Sequence, residues 1–150
     1  MTAAQGEGTV LTVGGRDDEL NQRLGDELEA FNDTATGTGD HGALSVRVTD
    51  GKGGLIGGLA GWTWGGLFEI ELLWVRASSR GEGWGGKVLR AAEEEALRRG
   101  CDRVVLASYT FQAPEFYKRH GYIETGRTPG IPGGHADVTL YKALRPTVAA

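Results

Sequence analysis

The segment RGEGWGG, residues 80–86, places four glycines and an arginine directly before an amphipathic helix pattern. A glycine-rich turn at a helix start exposes backbone N–H groups, and the helix dipole adds partial positive charge there. Phosphate oxygens suit such a site, and Arg80 can add a charge-assisted hydrogen bond. Glycines that only permit a tight turn are the alternative. Because each glycine costs conformational entropy, their density favours anion binding.

Two general phosphate-binding motifs fit this segment poorly. A Walker loop ends in Gly-Lys-Ser/Thr, but Lys87 is followed by Val88, which has no hydroxyl for a magnesium ion. The dinucleotide fingerprint Gly-x-Gly-x-x-Gly matches in letters, but in that fold the strand runs directly into the first glycine. Here residues 76–80 intervene, and the preceding strand belongs to a meander. A Rossmann-like oxidoreductase is therefore the weaker alternative.

The same segment resembles the acyl-CoA-binding motif of the GNAT acetyltransferase superfamily, Gln/Arg-x-x-Gly-x-Gly/Ala. Arg80, Gly83 and Gly85 match that motif. A second family motif, AxxFYxxxGY, follows at residues 113–122. Many family members carry an asparagine three residues before its alanine, where this chain has Thr110. Two separate motifs in the family's order make the resemblance specific.

The resemblance covers nearly the whole chain and implies the fold. It predicts an α/β (α+β) domain, the GNAT acyl-CoA N-acyltransferase fold, with a mixed, mostly antiparallel central sheet flanked by helices. The sheet is expected to splay between the strands at 67–75 and 103–108, which leaves a cleft for the pantetheine arm. A single domain would span residues 9–145, between flexible termini at 1–8 and 146–150.

The resemblance also implies acetyl-CoA as the co-substrate, with no metal, and assigns its binding to backbone groups. Leu73 and Val75 would hydrogen-bond the pantetheine arm as an added strand does, and Trp74 or Val75 would donate to the oxyanion. The residues expected to hold the pyrophosphate are Arg80, Gly81, Glu82, Gly83, Trp84, Gly85 and Gly86. Thr110 is a further candidate for the cofactor arm.

Acetyl transfer to an amine needs a base for the amine, donors to the oxyanion and an acid for the thiolate. Tyr117 matches the family tyrosine that protonates the thiolate, and a phenol is neutral enough to lie beside a thioester. Glu69, eleven residues before Arg80, has the spacing at which some members carry a glutamate base. An exposed structural role is the alternative for Glu69. Glu71, expected on the same side of the strand, would attract the substrate cation or a bridging water.

Acceptor recognition in this family usually involves the first helix, the loop after it and the final hairpin. The candidates there are Phe31, Asp33, Asp40 and His135. His135 is also an alternative base, or simply a polar surface residue. Three tryptophans on neighbouring strands form either an aromatic wall or ordinary sheet packing; they are Trp62, Trp64 and Trp74.

The apolar pattern predicts the elements that position these residues. The expected order is β-α-β-β-β-α-β-α-β-β, an antiparallel meander that leads into one β-α-β crossover. The predicted helices are 17–31, 84–99 and 113–120, and the predicted strands are 9–13, 43–49, 54–64, 67–75, 102–108, 121–127 and 137–143. Residues 32–42 are expected to form a polar loop, with a short helical turn within it as the alternative.

Length and composition exclude several functional classes. The chain has 150 residues, which suits one domain, and its net charge of −4 argues against a nucleic-acid partner. No run of apolar residues is long enough for a membrane span, and the N-terminus does not resemble a signal peptide. The sequence contains one cysteine, Cys101, so it predicts no disulfide within the chain and indicates a reducing, cytoplasmic setting.

These inferences together predict a cytoplasmic N-acetyltransferase. It would move an acetyl group from acetyl-CoA to a primary amine of a small molecule, or to a protein lysine or N-terminus, by direct attack in a ternary complex. A catalytically inactive acyl-CoA-binding sensor or scaffold is the alternative. A homodimer is expected, because many relatives dimerise through their last strands.

Overall fold

A computed structural model describes residues 4–6, 8–37 and 41–145 of the chain. The chain divides into two compact units, residues 1–39 and 40–150. Asp40 and the predicted flexible C-terminus lie outside the described residues, as does part of the predicted flexible N-terminus. The single domain predicted over residues 9–145 spans parts of both units and stays a prediction.

The first unit holds a short hairpin and one helix. Strand β1 (Ala4–Gly6) pairs antiparallel with β2 (Thr9–Leu11), so residues 4–6 form a strand where a flexible terminus was predicted. Helix α1 (Asp18–Thr36) follows. It begins at Asp17, whose carboxylate accepts a hydrogen bond from the N–H of Leu20 at 2.9 Å, as an N-cap does.

Helix α1 extends further than the sequence predicts. The predicted loop begins at residue 32, but the helix continues to Thr36 and ends at Gly37, which has a left-handed φ of 72°. The hydroxyls of Thr34 and Thr36 donate to carbonyls four residues earlier, so these polar side chains are accommodated within the last turn. The predicted end of the helix at residue 31 was wrong, and the alternative of helical structure after it agrees with residues 32–36, because the helix ends only at Gly37.

The second unit is a six-stranded sheet with two helices. The elements are β3 (His41–Thr49), β4 (Leu55–Trp64), β5 (Leu67–Val75), a 3₁₀ turn (Ala77–Ser79), α2 (Trp84–Arg98), β6 (Arg103–Tyr109), α3 (Pro114–Arg119), β7 (Ile123–Ile131) and β8 (His135–Ala143). The strand order is β3-β4-β5-β6-β8-β7. Only the β5–β6 pair is parallel, as the β5–α2–β6 crossover requires.

This topology confirms the predicted mixed, mostly antiparallel sheet flanked by helices. It also rules out the Rossmann alternative, because a dinucleotide-binding fold requires a mostly parallel sheet. The glycine-rich segment lies between β5 and α2, as the sequence predicts.

The final hairpin is longer than the sequence predicts. β7 runs on to Ile131 and β8 begins at His135, so most of residues 128–136, which lie between the two predicted strands, is strand. The register shifts between Pro129 and Ile131, which marks a bulge beside the proline. An edge strand with a bulge tolerates proline, since the missing N–H faces no partner strand.

Helices α2 and α3 belong to the hydrophobic core on one face of the sheet. The apolar face of α2 predicted from the sequence is buried, through Val88, Leu89, Ala92 and Ala96. Phe68 of β5 is fully buried in the same cluster. Burial of the α2 face fixes where this helix begins relative to the end of β5. No helix in the described parts of the chain is long and apolar enough to cross a bilayer.

Candidate active site

Strands β5 and β6 separate partway along their length. Their parallel register runs from the Leu67–Arg103 pair to the Glu69–Val105 pair and then stops. Among the described residues, the rest of β5 therefore has no partner strand on its β6 side. The gap opens into a cleft of about 1230 Å³ that continues along the start of α2 and along α3. The splay expected between these strands is present.

A β-bulge in β5 lies at the mouth of the splay. Ala60 pairs with Leu72 and Gly61 pairs with Ile70, so Glu71 is an extra residue without a partner in β4. The bulge reverses the alternation beyond it, which leaves Leu72 exposed although it follows the buried Ile70 by two positions. Glu71 lines the cleft.

Glu69, the predicted base, occupies a different environment. It lies where β5 still pairs on both sides, opposite Trp62 of β4 and Val105 of β6. The splay begins after this position, so Glu69 is exposed but does not line the cleft. Of the two glutamates that the sequence singles out, the structure brings Glu71 to the site.

The first two glycines of the predicted anion site form an open loop. Gly81 and Gly83 adopt left-handed φ angles of 87° and 82°, and a Cβ at either position would have no heavy atom within 4 Å. Gly83 is the N-cap of α2 and provides no side-chain acceptor for the first amides of the helix. Both glycines line the cleft, so the backbone there is positioned to bind an anion.

The last two glycines allow close helix packing. A Cβ on Gly85 would lie 3.3 Å from Phe116, and one on Gly86 would lie 3.1 Å from His120. These contacts are between α2 and the segment of α3 and its C-cap. The four glycines therefore divide into a pair that shapes the loop and a pair that lets two helices approach.

The charged residues of the loop are partly engaged with their own segment. The Arg80 Nε donates to the carbonyl of Val75 at 3.0 Å, so this side chain crosses the turn while lining the cleft. Glu82 accepts a hydrogen bond from the Trp84 indole at 3.2 Å and does not line the cleft. Lys87 lies over the Trp84 ring, 4.5 Å from its centroid.

The end of the cleft beside this loop is rich in cationic side chains. Its members, here called the cationic end, are Arg80, Lys87, Arg90, Arg119 and His120. Burial lowers the pKa of His120, and the charge of Arg90 lowers it further. Only Arg80 was predicted here, since the others come from α2 and α3 and converge only in the fold. The i, i+3 spacing of Lys87 and Arg90 at the start of α2 is the signal that indicates them in sequence.

Tyr117 of α3 lies at the middle of the cleft. It is 7% exposed, and its hydroxyl makes no hydrogen bond with another described residue. Burial raises the pKa of Tyr117 to about 12. The side chain therefore presents a neutral hydroxyl, able to donate a proton, to whatever the cleft binds.

A buried polar network supports the ring of Tyr117. Its ring packs edge-on against Tyr122 with 5.5 Å between centroids. The Tyr122 hydroxyl donates to Glu93 at 2.7 Å, and Lys142 Nζ donates to both oxygens of Glu93 at 3.0 Å. Burial, followed by the hydrogen bond to Glu93, raises the pKa of Tyr122. The network joins α2, α3 and β8, so it fixes Tyr117 relative to both sides of the cleft.

Thr110, the further candidate for the cofactor arm, makes hydrogen bonds within the protein. Its hydroxyl lies 2.9 Å from Nδ1 of His135 and accepts a hydrogen bond from the N–H of Ala136 at 3.1 Å. Neither Thr110 nor His135 lines the cleft. Both hydrogen bonds join the end of β6 to the start of β8, so the threonine fastens the final hairpin.

The remaining predicted residues divide between the β5 side of the cleft and helix α1. Leu73, Trp74 and Val75 line the cleft on the β5 side, as expected for residues that bind the cofactor arm. Phe31 and Asp33 lie on α1, in the first unit, and stay predictions.

Three residues that the sequence did not single out line the cleft beyond Tyr117. Tyr109 ends β6, Phe111 follows it, and Asp137 pairs with Tyr109 across β6 and β8. Together with Glu71 they are here called the acceptor end. The alternation HADV in β8 indicates that Asp137 faces away from the core, but its neighbour on β6 becomes known only from the strand pairing. In the described parts of the chain, no group of His, Cys, Asp and Glu has the arrangement of a metal site.

Comparison with a family model gives an independent result. Residues 16–122 match the model described as the acetyltransferase (GNAT) family. This match includes the glycine-rich loop and extends to Tyr122, so it covers both motifs of the resemblance.

Individual proteins with known names are also similar. An acetyltransferase of Agrobacterium fabrum (strain C58) is 31% identical over 126 residues, which is 84% of this chain and 92% of that protein. The blasticidin-S acetyltransferase of Streptomyces morookaense is 38% identical over 97 residues, 62% of this chain and 69% of that protein. The crystal structure of an acetyltransferase from Bacillus cereus ATCC 14579 superimposes with a TM-score of 0.76 at 30% identity, covering 89% of this chain and 98% of that one.

Proposed function

The chain belongs to the GNAT family of acetyltransferases, and on that premise we propose that it transfers an acetyl group from acetyl-CoA to a primary amine of a small molecule. Transfer takes place by direct attack within a ternary complex. The observation that carries the proposal is the hydroxyl of Tyr117, which opens into the cleft between β5 and β6 and has no hydrogen-bond partner among the described residues, although the residue as a whole is 7% exposed. A hydroxyl that opens into a cleft without a protein partner is free to donate to a ligand bound there.

The shape and charge of the cleft fit coenzyme A. The open loop at Gly81 and Gly83, at the N-terminus of α2, suits a diphosphate, and the cationic end supplies positive charge beside it. The unpaired edge of β5 from Leu73 to Val75 suits the amide groups of the pantetheine arm, which would extend the sheet. Bound in this way, acetyl-CoA supplies an activated acyl thioester.

The residues around the thioester account for the movement of protons. The amine nitrogen gains the acyl carbon as the carbon–sulfur bond breaks, and the departing sulfur takes a proton. Tyr117 donates that proton, because its high pKa keeps the hydroxyl protonated at neutral pH. The proton that the amine loses must pass to a base.

We assign that base to Glu71, acting directly or through a water molecule, in place of Glu69. Glu71 lines the cleft at the bulge, whereas Glu69 lies before the splay begins. A base must reach the nucleophile directly or through one water, so the position of Glu71 is the better one.

The nature of the acceptor is supported by a relative. Blasticidin-S acetyltransferase is named for an antibiotic and is similar over 97 residues. We propose that this chain likewise acetylates a small amine, such as an amino-bearing antibiotic, in preference to a protein lysine or N-terminus. A cytoplasmic location, suggested by the low cysteine content of the sequence, and a homodimer are further parts of the proposal.

An amine screen tests the proposal. Purified protein and acetyl-CoA are combined with small primary amines, including amino-bearing antibiotics, and free thiol is measured. Replacing Tyr117 with phenylalanine is expected to lower kcat by about 100-fold to 10,000-fold and to leave the Kd for coenzyme A unchanged, because only the proton donor is lost. An acyl-CoA sensor would have no turnover for the substitution to reduce, so absence of thiol release with every amine contradicts the proposal.

A matched pair of variants tests the choice of base. Glu71→Gln is expected to lower kcat/KM for the amine at pH 7 by at least about 100-fold, and Glu69→Gln is the control with the same chemical change outside the cleft. Raising the pH should partly restore the kcat/KM of the Glu71 variant, since more of the amine is then already neutral. A larger loss in the Glu69 variant would return the role of base to Glu69.

A further inference from the structure

We propose that the acceptor end binds an amine that carries a planar ring, with the ring on Tyr109 and Phe111 and the positive charge facing Glu71 and Asp137. This inference rests on the proposed function, because it names the class of amine that the same site takes. It follows from three features of the acceptor end: an exposed aromatic surface, a rigid support behind it, and two carboxylates without partners.

The aromatic surface consists of two nearly parallel rings. Tyr109 and Phe111 stack with 5.4 Å between centroids and 22° between planes. Both rings line the cleft, and they are 38% and 57% exposed. Large apolar side chains left open to water in a concave site are typical of surfaces that bind a ligand. A flat, unsaturated ring gains more from such a surface than a puckered one, because it can stack on the ring faces.

The aromatic surface is held in place from behind. The imidazole of His135 meets Phe111 edge-on, with 5.0 Å between centroids and 80° between planes. Thr110 holds that imidazole through Nδ1 at 2.9 Å, and Gln112 accepts a hydrogen bond from the N–H of Tyr109 at 2.8 Å. A surface fixed before binding loses little entropy when the ligand arrives. The Thr110–His135 pair therefore supports the aromatic surface, although neither residue lines the cleft.

The charges of the acceptor end are opposite to those of the cationic end. Glu71 lies at the bulge of β5 and Asp137 lies beside Tyr109 on β8, on opposite sides of the splay. Neither carboxylate makes an ion pair or a hydrogen bond with another described residue. Several other acidic residues of this unit do so: Asp50 with Arg76, Glu93 with Lys142, Glu95 with Arg99 and Glu124 with Arg127.

A further observation, at another residue of the same cleft, points to a ligand site. Tyr117, 7% exposed and without a hydrogen-bond partner among the described residues, lines the same cleft. We expect an amine that reacts near this hydroxyl to lie close to Glu71 and Asp137, which line the same cleft. A cation attached to a planar ring satisfies both the carboxylates and the aromatic surface, whereas an acidic amine would be repelled.

Binding of two unreactive cations tests the inference separately from catalysis. Benzyltrimethylammonium carries a planar ring, and cyclohexylmethyl-trimethylammonium has the same charge and a similar size with a puckered ring. In calorimetry on the protein saturated with coenzyme A, we expect benzyltrimethylammonium to bind about fivefold more tightly. Phe111→Leu should abolish this preference. Asp137→Asn should weaken the binding of both cations by a similar factor, about fivefold, because the carboxylate charge attracts each of them alike.

Matched variants outside the cleft control for general effects of these substitutions. Tyr141→Leu removes an aromatic ring from β8 away from the cleft, and Asp102→Asn removes an exposed carboxylate. Both should leave the two dissociation constants unchanged. All four variants should keep the unfolding temperature of the parent, and their affinity for coenzyme A should stay within a few-fold of the parent value. A lost preference between the two cations then reports on the site itself.

The outcomes for the inference and for the proposed function are distinguishable. Turnover of 2-phenylethylamine against 2-cyclohexylethylamine, followed by thiol release, reports on acetyl transfer. Tighter binding of the planar cation without turnover of either amine would leave the inference standing and overturn the proposed function. Equal dissociation constants for the two cations, or no effect of Phe111→Leu and Asp137→Asn, would overturn the inference whatever the turnover.

Discussion

The two ends of the cleft differ in charge and in how they are built. The cationic end comes from one loop and the helices that flank it, within residues 80–90 and 119–120. The acceptor end comes from the bulge of β5, the end of β6 and the start of β8, which are far apart in the sequence. One end suits an anionic donor and the other a cationic acceptor, and Tyr117 lies between them. The difference teaches that the loop for the common co-substrate is formed by residues close together in the sequence. The site for the particular acceptor is assembled by pairing of strands that are far apart in the sequence.

Reversal of charge at the cationic end should have the largest effect among the tests of the difference between the two ends. The double substitution Lys87→Glu and Arg90→Glu is expected to weaken coenzyme A binding by about 1,000-fold, since it changes the charge by four units and each unit contributes on the order of 1 kcal/mol near contact in water. The KM for the amine should change by less than about threefold at saturating acetyl-CoA. Calorimetry and initial rates measure the two quantities.

The control for this experiment has the same change in net charge elsewhere. Arg47→Glu and Lys52→Glu alter two exposed residues that do not line the cleft. If this control weakened coenzyme A as much, the effect would be one of overall charge, and the distinction between the two ends would be lost.

Two glycines at opposite ends of α2 give the next largest effect. Gly83 and Gly100 both have positive φ, 82° and 87°, and a Cβ at either would meet no heavy atom within 4 Å. Substitution by alanine should lower the free energy of unfolding by about 1–2 kcal/mol at each position, because the left-handed conformation is strained for alanine. Only Gly83→Ala should also weaken the binding of coenzyme A, by about tenfold, because the loop that contains Gly83 must hold the diphosphate.

Chemical denaturation and calorimetry together check this pair. Equal loss of stability with a difference in binding would assign Gly83 to the site. Equal weakening of binding would show that both substitutions act only through the stability of α2.

The pH dependence of coenzyme A binding should sharpen the comparison further. Burial and the charge of Arg90 lower the pKa of His120, so this imidazole is neutral at pH 7.5 and gains a proton only in acid. A bound phosphate favours the protonated form, so the affinity for coenzyme A should rise as the pH falls from 7.5 to 5.5, by about threefold more than in His120→Gln. Calorimetry at several pH values measures it, and identical profiles for the two proteins would exclude His120 from the cationic end.

The smallest expected effect concerns the residue between the two ends. Burial raises the pKa of Tyr117 to about 12, above the ordinary value for tyrosine. A raised pKa means that the proton is held below about pH 12 and is lost only as the pH rises through that value. At saturating amine, kcat should therefore stay within about twofold between pH 8 and 10.5. A fall with an apparent pKa near 10 would show that Tyr117 ionises as an exposed phenol does.

The sequence predicted the glycine-rich loop at the cationic end well because the signals of that loop are local. A loop rich in glycine, followed by a helix with a regular apolar face, reports a strand–turn–helix unit through short-range preferences alone. The same local reasoning gave the order of the elements in the second unit and the buried face of α2. It gave Glu71 only as one of two candidates, because strand alternation does not show where a bulge or a splay begins.

The limits of prediction at the acceptor end have a physical cause. Asp137 lies opposite Tyr109 because β8 pairs with β6, and this register depends on packing across the sheet. Thr110 departs from the family's asparagine, and only its hydrogen bonds to His135 and Ala136 show that it fastens the hairpin. No spacing in the sequence encodes these contacts, because they join segments that become neighbours only after the chain folds.

The sequence by itself determined the family, the motif residues and the chemistry that they imply, because each motif is a short segment whose backbone geometry its own residues dictate. Only the tertiary structure decided which carboxylate reaches the cleft, which cations gather beside the loop and which aromatic rings lie across from Glu71. Those features arise from a bulge, a splay and a strand register. The energy that selects them comes from burial of the whole sheet face against α2 and α3, and a local segment does not carry that information.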